Sequence, residues 1–455
     1  MRLLLVGAFA YPHALGSQIY FQEQAIALRA AGAEVHLLTY GPPRPSNTER
    51  TLEPELDPDR WRALDGFDHT ALPAWAAPSS RRSGPNLGKP LADLCLAIAM
   101  RRMLHASSAG LKHSSSASSA PRSAPPIRFD AILAHHAEAA LAALHGLPRP
   151  RPAIVYCAHT LLEQELPEYS NPSTSKSFFQ IGPAQTKIGE ASMTRTLTRG
   201  SLAHAGRVID RSLARRTDAW IALTQSSERV ISTLSSRPGR LIAPPLADPR
   251  SDPERPAAAD VARAHGLVPD RFFLYAGNLD AYQDLPLLER VASERAGRRS
   301  PSAARAEAQL PIVIATHDER AGDAARIHAG ATAAGVRVLR VRTAAEANAL
   351  VAAARATLVP RRSLGGFPIK LLNSLAAGTP VVAFHGEEWG LVHQRDSLIC
   401  DLAKPEASLF GALERLEDDA DLAARLAAGA RATWCARHQP ARVAADTLAL
   451  IEKLA

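Results

Sequence analysis

The segment from Gly365 to Pro380 gathers residue types that handle anions. Gly365 and Gly366 let backbone approach a ligand closely, Pro368 suits the first turn of a helix, and Gly378 suits its C-terminal cap. A helix whose amino end follows glycines offers unpaired N–H groups and the positive end of a dipole to a phosphate. Lys370 and Asn373, three residues apart, share one face of that helix, while Leu371, Leu372 and Leu375 turn to the core. The same pattern also describes a buried crossover helix with a solvated lysine, and the segment alone leaves both readings open.

A second set of polar residues recurs just past short apolar runs. Gly16-Ser17 follow residues 3–7, His135-His136 follow 131–134, and His159 follows 155–158. Asn278 follows 274–277, His317-Asp318 follow 312–316, and Arg361-Arg362 follow 358–360. One histidine in such a place is a turn residue as readily as a catalyst. In open parallel sheets, however, ligands bind beyond the carboxyl ends of the strands, and six strand ends carry polar groups here.

The elements that must position these residues alternate β-rich and helical patterns, the mark of βαβ units. Strands are expected at residues 3–7, 34–40, 129–134, 153–158 and 219–223, with a helix over 18–31 ended by Gly32. Polar stretches at 42–60, 77–88 and 113–126, and an insertion over 170–200, hold too few apolar residues to offset their ordering entropy. Pro244, Pro245, Pro249, Pro253 and Pro256 mark a linker. The alternation then restarts, with strands expected at 272–276, 312–315, 337–341, 356–359 and 380–383. The fold class is therefore α/β, two Rossmann-like doubly wound domains with an interdomain cleft. Residues 1–245 form the first domain, with polar insertions near 77–127 and 170–200. Residues 246–435 form the second, and 436–455 a final helix packing back on the first.

Composition narrows the function. The 455 residues suffice for two domains, and 46% hydrophobic residues suffice for two cores. A net charge of +8 favours anionic partners such as nucleotide phosphates or an acidic membrane face, which the protein would touch peripherally. No nucleic-acid-binding motif is present, and no nucleic-acid partner is expected. The four cysteines lack ligand spacing, which predicts reduced thiols and no metal site. Residues 1–10 read as a first strand and no apolar run reaches transmembrane length, so a cytoplasmic protein is expected.

With these residues in hand, the chain resembles the retaining glycosyltransferases of GT-B fold, family-4 type. Residues 365–380 resemble their donor-site helix, and Gly378–Val382 is the most specific piece. Residues 1–41 resemble their opening strand, glycine loop and helix. Asp130 and His135 match an Asp-x-x-x-x-His strand, Ala158-His159-Thr160 a strand carrying a donor-site histidine, and residues 275–279 the first strand of the donor domain.

The resemblance implies transfer of a sugar from a nucleotide-sugar donor to an unknown acceptor, with no cofactor and no metal, because the nucleotide-sugar is itself a substrate. It implies that Gly16 lies against donor phosphates and acceptor, and His159 beside the transferred sugar. Backbone at Gly365, Gly366 and Phe367 would hold sugar hydroxyls. Lys370 and the amides near Leu371 would face the diphosphate, with Arg361 or Arg362 behind them, and Asn373 would face the ribose. Gly277, Asn278 and Gln283 would border the donor, and His135 and His136 the acceptor. Glu163 or Glu165 would polarise an acceptor hydroxyl, or serve equally as a surface carboxylate.

The chain departs from the family pattern at four positions. Gly365 and Asn373 stand where two glutamates are usual, and Asn278 and Gln283 where an arginine and a lysine are usual. Tyr282-Gln283 and Pro368-Ile369-Lys370 resemble a branch that manages without that arginine. A non-catalytic GT-B protein binding a nucleotide or a partner, and a nucleotide-sugar epimerase, are the alternatives.

Overall fold

The computed structural model describes residues 1–11, 16–41, 66–73, 75–76, 89–109, 128–169, 190–298, 309–317 and 335–454. It divides into two compact units, Met1–Leu166 with Ser201–Pro245 and Pro440–Ala455, and Pro167–Gly200 with Leu246–Gln439. In chain order the elements begin β1 (Arg2–Gly7), α1 (Gly16–Ala30), β2 (Glu34–Thr39), β3 (Asp68–Ala71) and α2 (Lys89–Ala109). They continue β4 (Ala131–His135), α3 (His136–Gly146), β5 (Ala153–Ala158), α4 (Leu162–Tyr169), α5 (Glu190–Arg216), β6 (Ala219–Ala222), α6 (Gln225–Leu234) and β7 (Gly239–Leu241). After the proline-rich linker come α7 (Ala258–Ala264), β8 (Phe273–Ala276), α8 (Leu285–Gly297), β9 (Ile312–Thr316), β10 (Val336–Arg340) and α9 (Ala344–Ala353). The chain ends with β11 (Ala356–Val359), α10 (Ile369–Ala377), β12 (Val381–Ala383), β13 (Ser397–Ile399), α11 (Pro405–Asp418), α12 (Ala420–Arg437) and α13 (Pro440–Glu452).

One sheet has the order β3-β2-β1-β4-β5-β6-β7, the other β10-β9-β8-β11-β12-β13, and their pairings are parallel. Parallel sheets bury both faces, which explains why β1 reads as an unbroken apolar run with Leu3–Val6 fully enclosed. In the second sheet the two-residue period sorts side chains cleanly. Phe273, Tyr275, Ile312 and Ile314 pack on one face, and Phe272, Leu274, Val313 and Ala315 on the other. Each fully buried Ile, Leu or Phe contributes about 1.5–3 kcal/mol.

Strand order reverses between β1 and β4 in the first sheet, and between β8 and β11 in the second. Such switch points open a crevice at the carboxyl ends of the strands. Gly7 pairs with His135 at the first. At the second, β8 runs out into Gly277 and β11 into Arg361.

Several expectations need correction. The edge strands β3, β7 and β13 lie outside the expected set, since Asp-His-Thr-Ala, Gly-Arg-Leu and Ser-Leu-Ile carry no apolar run, and β3 and β7 hold no fully buried residue. Residues 190–200, read as insertion, begin the 27-residue helix α5. Much of the stretch 77–127 is the helix α2. The segments 42–60, 77–88, 113–126 and 170–189 lie outside the described residues. A boundary at 435 would cut α12, which runs on to Arg437, and the break comes where Pro440 opens α13. Helix α13 packs on α1.

Two glycines of neighbouring helices separate packing from propensity. A Cβ at Gly429 in α12 would collide with the Arg395 carbonyl oxygen, whereas nothing lies within 4 Å of one at Gly411 in α11. Gly429→Ala should therefore lose about 1–3 kcal/mol through forced backbone shifts. Gly411→Ala should gain about 0.5–1 kcal/mol from helix propensity alone. Chemical denaturation of both variants checks the opposite signs.

Candidate functional site

At the β8–β11 switch point, side chains converge on one amine. Lys370, on the first turn of α10, donates to the Tyr275 hydroxyl at 2.8 Å and to Gln283 Oε1 at 2.8 Å. Gln283 Nε2 donates to Asn278 Oδ1 at 3.1 Å, and the Asn278 amide donates to Asp280 and, at 3.4 Å, to the Tyr282 hydroxyl. The Tyr275 hydroxyl donates to the Asn278 carbonyl, closing the loop. Gly277 has a φ of 152°, and a Cβ there would lie 3.0 Å from the Lys370 amine. The glycine is thus required by backbone conformation and by the amine beside it.

No carboxylate reaches ion-pair distance of Lys370 among the described residues, and Asp280 acts on it only from further off. Burial pushes the amine well below its ordinary pKa, the nearby charge of Arg361 pushes the same way, and Asp280 opposes both. Arg361 donates to the Ser363 and Gly365 carbonyls and lies 5.2 Å from the Tyr282 ring centroid. Arg362 turns away to pair with Asp284 and is not part of the cluster. Gly365 and Gly366 take φ of 157° and 60°, Phe367 is buried beside His438, and Pro368 caps α10. Leu371 is buried beneath the helix, while Asn373 is half-exposed on the Lys370 side.

At the β1–β4 switch point three histidines meet. His135 Nδ1 and His159 Nε2 share a hydrogen bond of 2.9 Å, and the His136 ring stacks on His159 with centroids 4.1 Å apart. His136 holds a φ of 72°, a left-handed conformation strained for a side chain other than glycine. Tyr20 and Phe21 of α1 close over the group, with centroids 4.8 Å from His159 and 4.9 Å from His135. Burial holds the imidazoles of His135 and His159 well below their ordinary pKa, and that of His136 at about 4. Burial favours the neutral form of all three, and His135 and His159 meet as hydrogen-bonding rings rather than as cations.

The remaining candidates are placed differently. Gly16 opens α1 and is exposed, with residues 12–15 outside the described part. Glu163 is not a free base, since Arg207 of α5 grips its carboxylate with two guanidinium nitrogens. The carboxylate that organises this turn is Asp210, which sequence reasoning missed. It accepts the amides of Leu162 at 3.1 Å and Glu163 at 2.9 Å, and burial raises it to about 6. Tyr275 was missed as well, because a tyrosine inside an apolar strand reads as core. His317 follows the end of β9 and Asp318 falls outside the described residues.

Two doubly wound parallel sheets, each with polar side chains gathered at its switch point, make the two-domain α/β architecture of GT-B proteins. Residues 16–247 match the glycosyl transferase 4-like domain and residues 271–419 the glycosyl transferases group 1 domain, and the chain belongs to this glycosyltransferase family. Among solved structures it is similar to sucrose-phosphate synthase from Thermosynechococcus elongatus, 14% identical over 100% of this chain and 98% of that one, with a TM-score of 0.67. Anabaena HepE in complex with UDP is 13% identical over 100% of both chains, with a TM-score of 0.62. A glycosyltransferase from Rickettsia africae is 10% identical over 100% of this chain and 98% of that one, with a TM-score of 0.61. Comparison with curated protein sequences returns no match.

The histidine group carries a signed pH dependence. A base whose pKa is depressed by folding binds fewer protons folded than unfolded, so its stabilising contribution is lost as pH falls below its unfolded value near 6.5. Asp93 and Asp210, both raised to about 6, act in the opposite sense over the same range, so the total slope is a balance. His159→Phe keeps the ring contacts and removes one depressed base. Its melting temperature, compared with wild type at pH 7 and pH 5, should fall less on acidification.

Proposed function

We propose that the protein transfers a hexosyl group from a nucleoside-diphosphate sugar to an acceptor hydroxyl, with retention of anomeric configuration. The observation that carries this reading is the Lys370 amine, anchored by two neutral oxygens at the amino end of α10 and lacking a carboxylate partner among the described residues. A cation so placed is kept for an anionic ligand, because a desolvated diphosphate needs a positive partner. The complexes of Anabaena HepE with UDP and with UDP-glucose support a donor of this class.

In the proposed reaction the anomeric carbon–oxygen bond breaks through an oxocarbenium-like state and the leaving diphosphate gathers charge. The acceptor oxygen attacks from the leaving-group face and passes its proton to a departing phosphate oxygen. Lys370, Arg361 and the amides opening α10 stabilise the leaving group without a metal ion. The backbone at Gly365–Phe367 binds sugar hydroxyls and Asn373 a ribose hydroxyl. Gly16 borders both substrates. His159 binds the transferred sugar as a neutral imidazole, with His136 stacked on it toward the acceptor. His135, fully enclosed, acts by orienting His159.

Lys370→Met retains the stem and removes the charge. With donor sugars assayed by nucleotide release, kcat/KM should fall by about 3 kcal/mol, or roughly 150-fold, while the melting temperature holds. Wild-type turnover in this variant would overturn the proposal. Release of nucleotide without added acceptor would point to hydrolysis, and isomerised donor without release to an epimerase.

Gln283→Glu tests the amine's setting. A carboxylate against the amine neutralises it, so donor KM should rise at pH 7. The protonated amine is the binding form, and wild-type donor affinity should fall as pH rises through its depressed pKa. In Gln283→Glu that fall should move to higher pH, and an unmoved profile would show that the amine does not titrate with donor binding.

A further inference from the structure

Helix α2 is apolar on a face that no element among the described residues of its own unit covers. Its inward face, Ala92, Leu96 and Met100, is completely buried and packs with the alanines of α3. Its outward stripe repeats at three- and four-residue steps through Leu91, Leu94 and Ile98, which are 52%, 57% and 42% exposed. Arg101 and Arg102 continue the same side of the helix and are exposed. The helix's one carboxylate, Asp93, bonds inward to the Tyr40 hydroxyl, and Lys89 pairs with Glu138 at 2.9 Å. Single exposed leucines are ordinary, but three in register on one helix ending in two arginines form an interfacial pattern.

Charge says what covers the stripe. From residue 77 to residue 128 the sequence holds eight lysines and arginines against one aspartate, a local excess of seven where the whole chain totals +8. An apolar stripe within so basic a stretch is complementary to a surface that is anionic above and hydrocarbon below, whereas a nucleic acid offers the stripe no apolar partner. No helix among the described residues is long and apolar enough to cross a membrane. We infer that α2 is a docking helix that lays Leu91, Leu94 and Ile98 into the interface of an anionic lipid bilayer, with Arg101 and Arg102 at the headgroups.

The full-length protein is tested by flotation with vesicles of phosphatidylcholine alone and of phosphatidylcholine with 40% phosphatidylglycerol. It should float only with the anionic vesicles, less so as salt rises. Arg101→Gln with Arg102→Gln should weaken partitioning roughly fivefold per charge removed, by the usual worth of a basic residue at an anionic surface. Leu94→Glu with Ile98→Glu, at exposed positions, should weaken it at least tenfold with an unchanged melting temperature. Failure of the wild type to float at low salt would overturn the inference. So would a glutamate variant that floats like wild type, the mark of charge-only attraction to any polyanion including nucleic acid. Conversion of a wild-type dimer to monomer by the glutamate pair, read by light scattering, would assign the stripe to a second copy instead. Donor turnover without vesicles reports separately on the catalytic reading.

Discussion

A lysine amine set among neutral oxygens is the constraint around which the second sheet's switch point is arranged. Lys370 donates to a phenol and an amide, each of which is oriented by Asn278. A neutral cage holds the amine in place yet leaves its charge uncompensated, unlike an ion pair, which would cancel the field a phosphate ligand is to feel. Burial and Arg361 make that charge costly, which is the direction in which the pKa moves. The proposed donor diphosphate would relieve that cost. The substitution of amides for the usual cations at 278 and 283 then changes meaning. Gln283 binds the lysine directly, and Asn278 holds Gln283 and Tyr275 against it.

The histidines at the other switch point follow the opposite strategy. Their rings are enclosed by Tyr20, Phe21 and one another, which drives the charge out and leaves shape and hydrogen bonding. A protonated imidazole here would be a desolvated cation beside two like rings. Neutral rings suit a role against sugar hydroxyls, which need donors and acceptors in fixed positions rather than net charge.

Much of the scaffold was legible because parallel strands buried on both faces are written as apolar runs, and because polar residues cluster where those runs stop. The α10 segment was legible for the same reason, with Gly378 taking its left-handed cap at φ 75°. What escaped was set by partners distant in sequence. Lys370 meets Tyr275 and Gln283 across 95 and 87 residues, and Glu163 meets Arg207 across 44. No local pattern distinguishes a carboxylate held by a guanidinium from one facing a substrate. Edge strands such as β7, of three residues, bury too little to leave a period in the sequence.

A preorganised charge is only as useful as the element that carries it, and α10 is fixed along its length. Ser374 on its inner face accepts from the Thr357 hydroxyl at 2.7 Å, joining it to β11. At its far end the Ala376 carbonyl accepts from Arg431 of α12 at 2.6 Å, and the same guanidinium pairs with Asp248 within the proline-rich linker. Asp248 is held at about 2, lowered by Arg431 and Arg250 against a burial effect that would raise it. Across ordinary pH this carboxylate therefore stays charged, and the tie persists. The helix end opposite the amine is thus anchored to the start of its own unit, so that Lys370 is positioned by the fold and not by the ligand. Placing a cation to within a fraction of an ångström is what separates transition-state stabilisation from general attraction to phosphate. Here that placement comes from neutral hydrogen bonds at one end of a nine-residue helix and an ion pair at the other.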